Sequence, residues 1–395
     1  MLLTSCHKDK EEKEPKTSRQ SVLVYMAGDC SLSSFVMADL SEMMEGSKLL
    51  GDDCHLLAFV DQKGKLPYML EVSKGDTTRV YTFEQEMKSS DAETLRTTLD
   101  YLISKYPAEQ YGLVLWGHAD GWNVWEPATK SGPRRAYGQD TTGGEQWMNI
   151  ADMRDALQKA CAAVGPLRFI FADCCAFQSV ESAYELRQNA EMIIASAAEI
   201  PGEGAPYQTV IPALFSQQDD YYRQAIDAYY AQESYGYKEP LTAIKTSQMA
   251  DLAEATRVAL TSCMQPLAAD GTGYPDVKGL IYYYDHTLFD MNDFFLRHAD
   301  SNTYAEWHRA FLSAAVYRTW VDAWMANHVA YIGFFGSHIF QDFDVTDERF
   351  GGVNMFVPQV PESVPYDFRA NVERQNERIR RMQWYKAAGL DALGW

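Results

Sequence analysis

Short, continuously apolar runs alternate along the chain with stretches whose apolar residues recur at helical spacing, and that alternation predicts most of its elements. "SVLVYMAGD", from Ser21, reads as a buried strand that runs into a turn, and "MADLSEMMEGSKLL" reads as the helix after it. "CHLLAFVDQ" predicts a second strand, and "PYMLEV" with "TRVYTF" a hairpin-like excursion. "DAETLRTTLDYLISKYP" predicts a helix with Asp91 as its N-cap and Leu95, Leu99 and Leu102 on its core face. "YGLVLWGH" is a third core strand, "NIADMRDALQKACAAV" a helix, "LRFIFA" a fourth strand and "EMIIASA" a fifth. Val180 to Leu186 reads as a helix, with Val180, Ala183, Tyr184 and Leu186 available to a core. Residues 119–147, rich in Gly, Pro, Thr and charge, read as one long loop.

Strands alternating with helices at this spacing imply an α/β fold: a mostly parallel sheet flanked by helices on both faces. Past about residue 205 the pattern turns helical and aromatic, as in "YYRQAIDAYYAQ", "MADLAEATRVAL" and "YAEWHRAFLSAAV", with extended text returning at "GGVNMFVPQ". The expected organisation is a polar amino-terminal segment over 1–20, an α/β core over 21–210, and a mainly helical part over 211–395 packed on that core. No linker divides the chain cleanly, and there are no internal repeats.

Composition narrows the function. With 46% hydrophobic and 23% charged residues over 395 positions, the chain suits an ordered globular protein. A formal net charge of −20 argues against nucleic acid as a partner, since phosphate binding needs a basic face, and leaves room for a basic ligand. No apolar stretch is long enough to span a membrane. "MLLTSC" nevertheless ends like a bacterial lipobox, in which Cys6 would carry lipid, and "HKDKEEKEPKTSR" after it is a polar tether. The expected location is therefore a bacterial cell envelope, as an outer-membrane lipoprotein exposed at the surface. Cys30, Cys54, Cys161 and Cys263 are scattered singly and are expected to be buried free thiols. No H-E-x-x-H or EF-hand pattern is present, and Asp219-Asp220 is not read as a metal site; no cofactor is expected.

The chemistry gathers around "FIFADCCAFQSVESAYEL". Cys174 and Cys175 follow a strand's carboxyl end, where sites in open α/β sheets are built. A cysteine nucleophile needs a base, positive potential and donors for the oxyanion. The helix after Cys175 is expected to supply positive potential from its N-terminus. The base candidate is His118 in "LVLWGHADGW", also at a strand end and 57 residues before Cys175, much as caspases place their histidine about 50 residues upstream. The backbone N–H of Ala119, or of Gly117, with that of Cys175 is the candidate oxyanion hole.

The sequence resembles the clostripain family of cysteine peptidases, which groups by fold with caspases, gingipains and legumain. The resemblance rests on "VYMAGDCSLSSFVMADLSEM", "ETLRTTLDYLISKYPAEQYGLVLWGHADGW", "DCCAFQSVESAYEL" and "PGEGAPY", in that order. The family usually has Asp-Ala-Cys at the nucleophile. Asp173-Cys174-Cys175 matches it with Cys175 as nucleophile and Cys174 in the small slot where alanine is usual. The usual His-Gly is His118-Ala119 here, which narrows the groove and keeps the N–H. The resemblance implies a caspase-like fold with a helical carboxyl-terminal elaboration, and endopeptidase cleavage of peptides or proteins after Arg or Lys. It also implies acidic groups in the primary pocket. Asp173 matches one, and Glu203 or Glu199 is expected as the second, with Glu203 favoured for its glycine-rich loop. Relatives mature by a cut between histidine and cysteine. In this chain "KSGPRRAYGQD" offers Arg135, with Arg134 and Lys130 as further sites. Two other readings stand beside this one. One is a non-catalytic surface lipoprotein that uses the fold to bind peptide or glycan through its aromatic second half; the other is a different thiol enzyme, such as an amidase or acyltransferase.

Overall fold

A computed structural model gives the structure of the protein, described here over residues 17–124, 126, 136–232, 238–283, 287–324, 343–364 and 366–395. Cys6 and the self-cleavage candidates Lys130, Arg134 and Arg135 lie outside the described residues.

The first strand, β1 (Ser18–Gly28), explains why its apolar run has no polar positions through its centre. Leu23, Tyr25 and Ala27 enter one apolar cluster, and Val22, Val24 and Met26 enter another on the opposite face. Such a strand is central and covered on both sides. β2 (Cys54–Gln62) and β5 (Ala108–Trp116) pair with it in parallel, β8 (Phe169–Asp173) pairs with β5, and β9 (Met192–Ser196) with β8, all parallel. The hairpin β3 (Tyr68–Ser73) and β4 (Asp76–Thr82) closes one edge.

The other edge comes from later in the chain. β10 (Leu241–Lys245) pairs antiparallel with β9, and β12 (Ala315–Arg318) antiparallel with β10, completing a nine-stranded sheet in the order β12-β10-β9-β8-β5-β1-β2-β3-β4. Residues beyond 211 therefore supply strands as well as helices. Two short antiparallel pairs stand apart: β6 (Tyr137–Asp140) with β7 (Gln146–Met148), and β11 (Leu288–Asp290) with β13 (Asn354–Phe356). The stretch expected as a single long loop thus contains the β6–β7 pair.

One face of the sheet is covered by α1 (Val36–Ser47), α5 (Tyr207–Leu214) and α6 (Tyr221–Tyr230). The other carries α2 (Ala92–Lys105), α3 (Ile150–Ala160), α4 (Val180–Glu185), α7 (Met249–Cys263), α8 (Met291–His298) and α9 (Ser301–Ala314). α2 begins where its sequence said: the Asp91 carboxylate accepts the Glu93 N–H at 3.0 Å, and Leu95, Leu99 and Leu102 are fully buried. All six described cysteines are free; Cys30 and Cys161 are buried as expected, but Cys54 and Cys263 are only partly so. Among the described residues no helix is long and apolar enough to cross a membrane.

β13 ties the carboxyl-terminal part to α4. The Phe356 N–H donates to Glu181 Oε1 at 2.8 Å, while Glu181 Oε2 is buried with no partner among the described residues. Burial pushes this carboxyl from its ordinary 4.5 up to about 8. The folded chain therefore holds the Glu181 proton to higher pH than the unfolded chain. That contribution to stability is fully present below pH 4.5 and is lost as pH rises through about 8. Glu181→Gln keeps an acceptor and removes the titration. In thermal melts across that window the variant should gain on the wild type as pH rises and level off above it. A pH-independent difference would show that Glu181 does not titrate in this way.

Candidate active site

Register sets the site. Trp116 of β5 pairs with Asp173 of β8, so His118 and Cys175 each lie two residues beyond the same rung of adjacent parallel strands. Strands of one sheet lie about 4.8 Å apart, which brings the two loops together. His118 is half-buried, its Nε2 2.8 Å from Ser31 Oγ, with the Trp147 ring beside it at 6.4 Å between centroids. The backbone after β5 is pinned to the segment leading into β6. The Gly138 N–H donates to His118 O at 2.8 Å, the Asp120 N–H to Ala136 O at 3.1 Å, and buried Ala119 bridges Tyr137.

The two adjacent cysteines have different surroundings. Cys174 is fully buried, its thiol donating to Leu115 O at 3.3 Å, and burial pushes its pKa well above the ordinary value, helped by Asp173 and Cys175. It fills the small slot expected of it. Cys175 is half-buried, with its Sγ against the Ile200 backbone, 3.5 Å from N and 3.7 Å from O. The next residue, Ala176, has φ 53°, a left-handed conformation unusual for a residue with a Cβ. Neighbouring strands hold it there. The Ala176 N–H donates to Ala198 O at 2.8 Å and the Gln178 N–H to Ser196 O at 2.9 Å. Asn354 Nδ2 of β13 donates to Ala176 O and Ala197 O at 3.3 and 3.2 Å.

The chain after this turn leads into α4, which starts at Val180 as the sequence predicts. Its first turn is capped by the Ser179 hydroxyl, which accepts the Ser182 N–H at 3.0 Å. Ala176–Ser179 separate Cys175 from the first residue of α4 along the chain.

Beneath the cysteine turn the structure gathers carboxylates. Asp173 is buried, with Oδ2 accepting from the Ala205 N–H at 3.0 Å and the Tyr207 hydroxyl at 2.7 Å, and Oδ1 from the Tyr229 hydroxyl at 3.4 Å. Burial pushes it up to about 6 against these hydrogen bonds. Glu199 is half-buried and Glu203 exposed. Two acids that the sequence reading missed belong to the same region. Asp39 of α1 accepts the Trp116 indole N–H at 2.5 Å and is pushed up to about 8, first by burial and then by the Asp173 charge. Glu239, just before β10, is 2% exposed and is also pushed up to about 8, by burial and then by Glu199 and Asp173. Neither has a local sequence signal; only the packing of α1 and β10 brings them in. Elsewhere, Asp29, Asp61 and Glu86 place carboxylate oxygens within 4.8 Å of one another, close enough to share a cation.

A cysteine and a histidine on neighbouring strand ends of a mostly parallel, helix-flanked sheet are the layout of a cysteine peptidase of caspase-like fold. The chain belongs to the clostripain family, whose model (Peptidase_C11, clostripain family) matches residues 24–363. It is 25% identical over 234 residues to clostripain of Hathewaya histolytica, a match spanning 50% of this chain and 43% of clostripain. Among solved structures it resembles a secreted C11 cysteine protease from Bacteroides thetaiotaomicron in complex with an irreversible peptide inhibitor. That likeness has 27% identity and TM-score 0.75, over 95% of this chain and 100% of the other. It also resembles an inactive zymogen C11 protease from Parabacteroides distasonis, at 25% identity and TM-score 0.74, over 95% and 99% of the two chains. Peptides or proteins are thus its class of substrate.

Gly204 is where the acidic pocket leaves no room. Its φ is +64°, and a Cβ there would lie 2.7 Å from Asp173 Oδ2. Gly204→Ala should lower unfolding stability by roughly 1–3 kcal/mol and disturb the Asp173 hydrogen bonds. Denaturant titration checks this, and an unchanged midpoint would show that the loop yields without strain.

Proposed function

We propose that the protein is an endopeptidase that cuts after Arg or Lys, with Cys175 as nucleophile and His118 as its base. The observation that supports this reading is the pairing of Trp116 with Asp173, two residues before His118 and Cys175 respectively on adjacent parallel strands, with Asp173 itself buried. Cys175 Sγ attacks the scissile carbonyl, and His118 passes a proton to the leaving amine. The backbone N–H groups of Cys175 and Ala119 face the oxyanion, and water then releases the acyl group from sulfur. Asp173, with Glu203 or Glu199, attracts the substrate's guanidinium or ammonium group. The α/β core over 21–210 carries this chemistry and residues 211–395 brace it. The resemblance to a secreted relative fits a location outside the cytoplasm, where lipid on Cys6 would anchor the tether to the envelope.

Fluorogenic peptides that present Arg, Lys, acidic or large apolar residues before the cut test the reading. Turnover should be confined to Arg and Lys, Cys175→Ala should abolish it, and Cys174→Ala should retain most of it. His118→Ala should cost about 10²–10⁴-fold. Turnover after acidic or apolar residues, or near-full activity in the His118 variant, would overturn it.

Self-cleavage after Arg135, or after Arg134 or Lys130, is part of the proposal. Both flanks of that interval are anchored: Glu126 pairs with Arg378 at 2.9 Å and Arg381 at 2.7 Å, and Ala136 is fully buried. A related protease is described as an inactive zymogen. Purified wild-type protein should separate into two fragments meeting at one of these residues, identified by mass spectrometry, while Cys175→Ala stays whole. Fully active protein that remains one chain would remove the loop from the mechanism.

A further inference from the structure

Glu239 differs from the other buried carboxylates. Asp29, Asp39, Asp61, Asp140, Asp173, Glu181, Glu185, Asp290 and Asp293 each accept at least one hydrogen bond or ion pair. Neither oxygen of Glu239 has a partner among the described residues, although the side chain is 2% exposed. Burying a carboxylate with nothing to solvate it is costly, and removing it would cost the fold no hydrogen bond. The adjacent cation does not relieve it: Lys238 donates to Tyr230 O at 3.2 Å and lies 4.5 Å over the Tyr230 ring.

Its position connects it to the proposed primary pocket. β10 pairs with β9 so that Leu241 meets Ser196, which sets the residues before Leu241 beside the segment after Ser196 that carries Glu199 and touches Cys175 through Ile200. Tyr229, whose hydroxyl donates to Asp173, is pushed well above its ordinary range by burial and then by the charges of Asp173, Glu239 and Cys175, which lie around it. The partners of Asp173 are themselves neutral: one backbone N–H and two phenols. Asp173 and Glu239 therefore gather two buried carboxyl groups, and among the described residues neither pairs with a cation.

We propose that Glu239 is a specificity-determining residue of the primary pocket, the floor carboxylate that pairs with the guanidinium or ammonium group of the residue before the scissile bond. This rests on the basic specificity proposed above and adds to it the residue that the cation reaches. A guanidinium offers several planar donors, enough to engage both empty Glu239 oxygens while Asp173 keeps its own bonds. The pocket is then selective because an uncharged side chain would leave Glu239 buried and unpaired in the complex as well.

The test uses the full chain and three peptide substrates identical except for Arg, Lys or citrulline before a fluorogenic leaving group. Citrulline has nearly the shape of Arg without its charge. In Glu239→Gln, kcat/KM for Arg and Lys should fall at least about tenfold while citrulline changes by less than about twofold, with iodoacetamide still labelling Cys175. A variant that retains the wild-type Arg-to-citrulline ratio overturns the assignment of Glu239. A wild-type enzyme with no preference for Arg over citrulline overturns the basic specificity itself, and Glu239 with it. If Glu239→Gln does not fold, Glu239→Asp keeps the charge and withdraws it by one methylene. Lys, the shorter reach, should then lose more than Arg, and an unmoved Arg-to-Lys ratio sinks the proposal.

Discussion

A carboxylate held out of water at the end of β8 is the constraint around which the site is arranged. Asp173 sits where the sheet would otherwise finish in apolar side chains, and the protein must solvate it with its own donors. That need fixes several elements at once. The loop after β9 must bring the Ala205 N–H to within 3.0 Å, which forces Gly204 against the carboxylate. α5 must start so that Tyr207 reaches Oδ2, and α6 must lie so that Tyr229 reaches Oδ1. The same loop brings Ile200 to the Cys175 sulfur. The helices covering one face of the sheet are thus positioned by the acid two residues before the cysteine.

The parts of this arrangement that were legible in the sequence are those written as local pattern. β1, β2, β5, β8 and β9 are buried on both faces and so appear as uninterrupted apolar runs. The Asp91 cap and the leucines of α2 follow one helical period. β10 and β12 were missed because "LTAIK" and "AVYR" are short and mixed and sit among helical text, so only their pairing across the sheet makes them strands. "YGQD" and "QWM" of β6 and β7 lack periodicity and lie in glycine-rich surroundings. Of the proposed site residues, His118, Cys175 and Asp173 are legible from strand ends and motif. Asp39 and Glu239 were not, because their link to Asp173 runs through α1 and β10 packing and leaves no trace in spacing. The left-handed Ala176 was not legible either: nothing in "CCAFQS" marks it or the turn it begins.

The carboxyl-terminal part does more than cover the core. Asn354 of β13 supplies side-chain donors to two backbone carbonyls, one on the cysteine turn and one after β9, while its own N–H donates to Gln178 O. A left-handed alanine costs about 1–3 kcal/mol and persists only when its surroundings leave no alternative. Here the surroundings come from three places far apart in sequence: β9, β13 and the Gly121 backbone, where a Cβ would approach Ala176 O to 3.1 Å.

The two thiols nevertheless have different surroundings. Both cysteines follow the same strand and precede the left-handed Ala176. Cys174 is buried, which stabilises its neutral thiol, and the Leu115 carbonyl accepts its S–H. Cys175, the last residue before the turn, is half-buried against the Ile200 backbone. A chain that ran straight on would send successive side chains to opposite faces of the sheet and bury whichever cysteine faced inward. The reversal at Ala176 instead ends the extended run at Cys175, and the contacts from β9, the segment after it and β13 hold the turn in place.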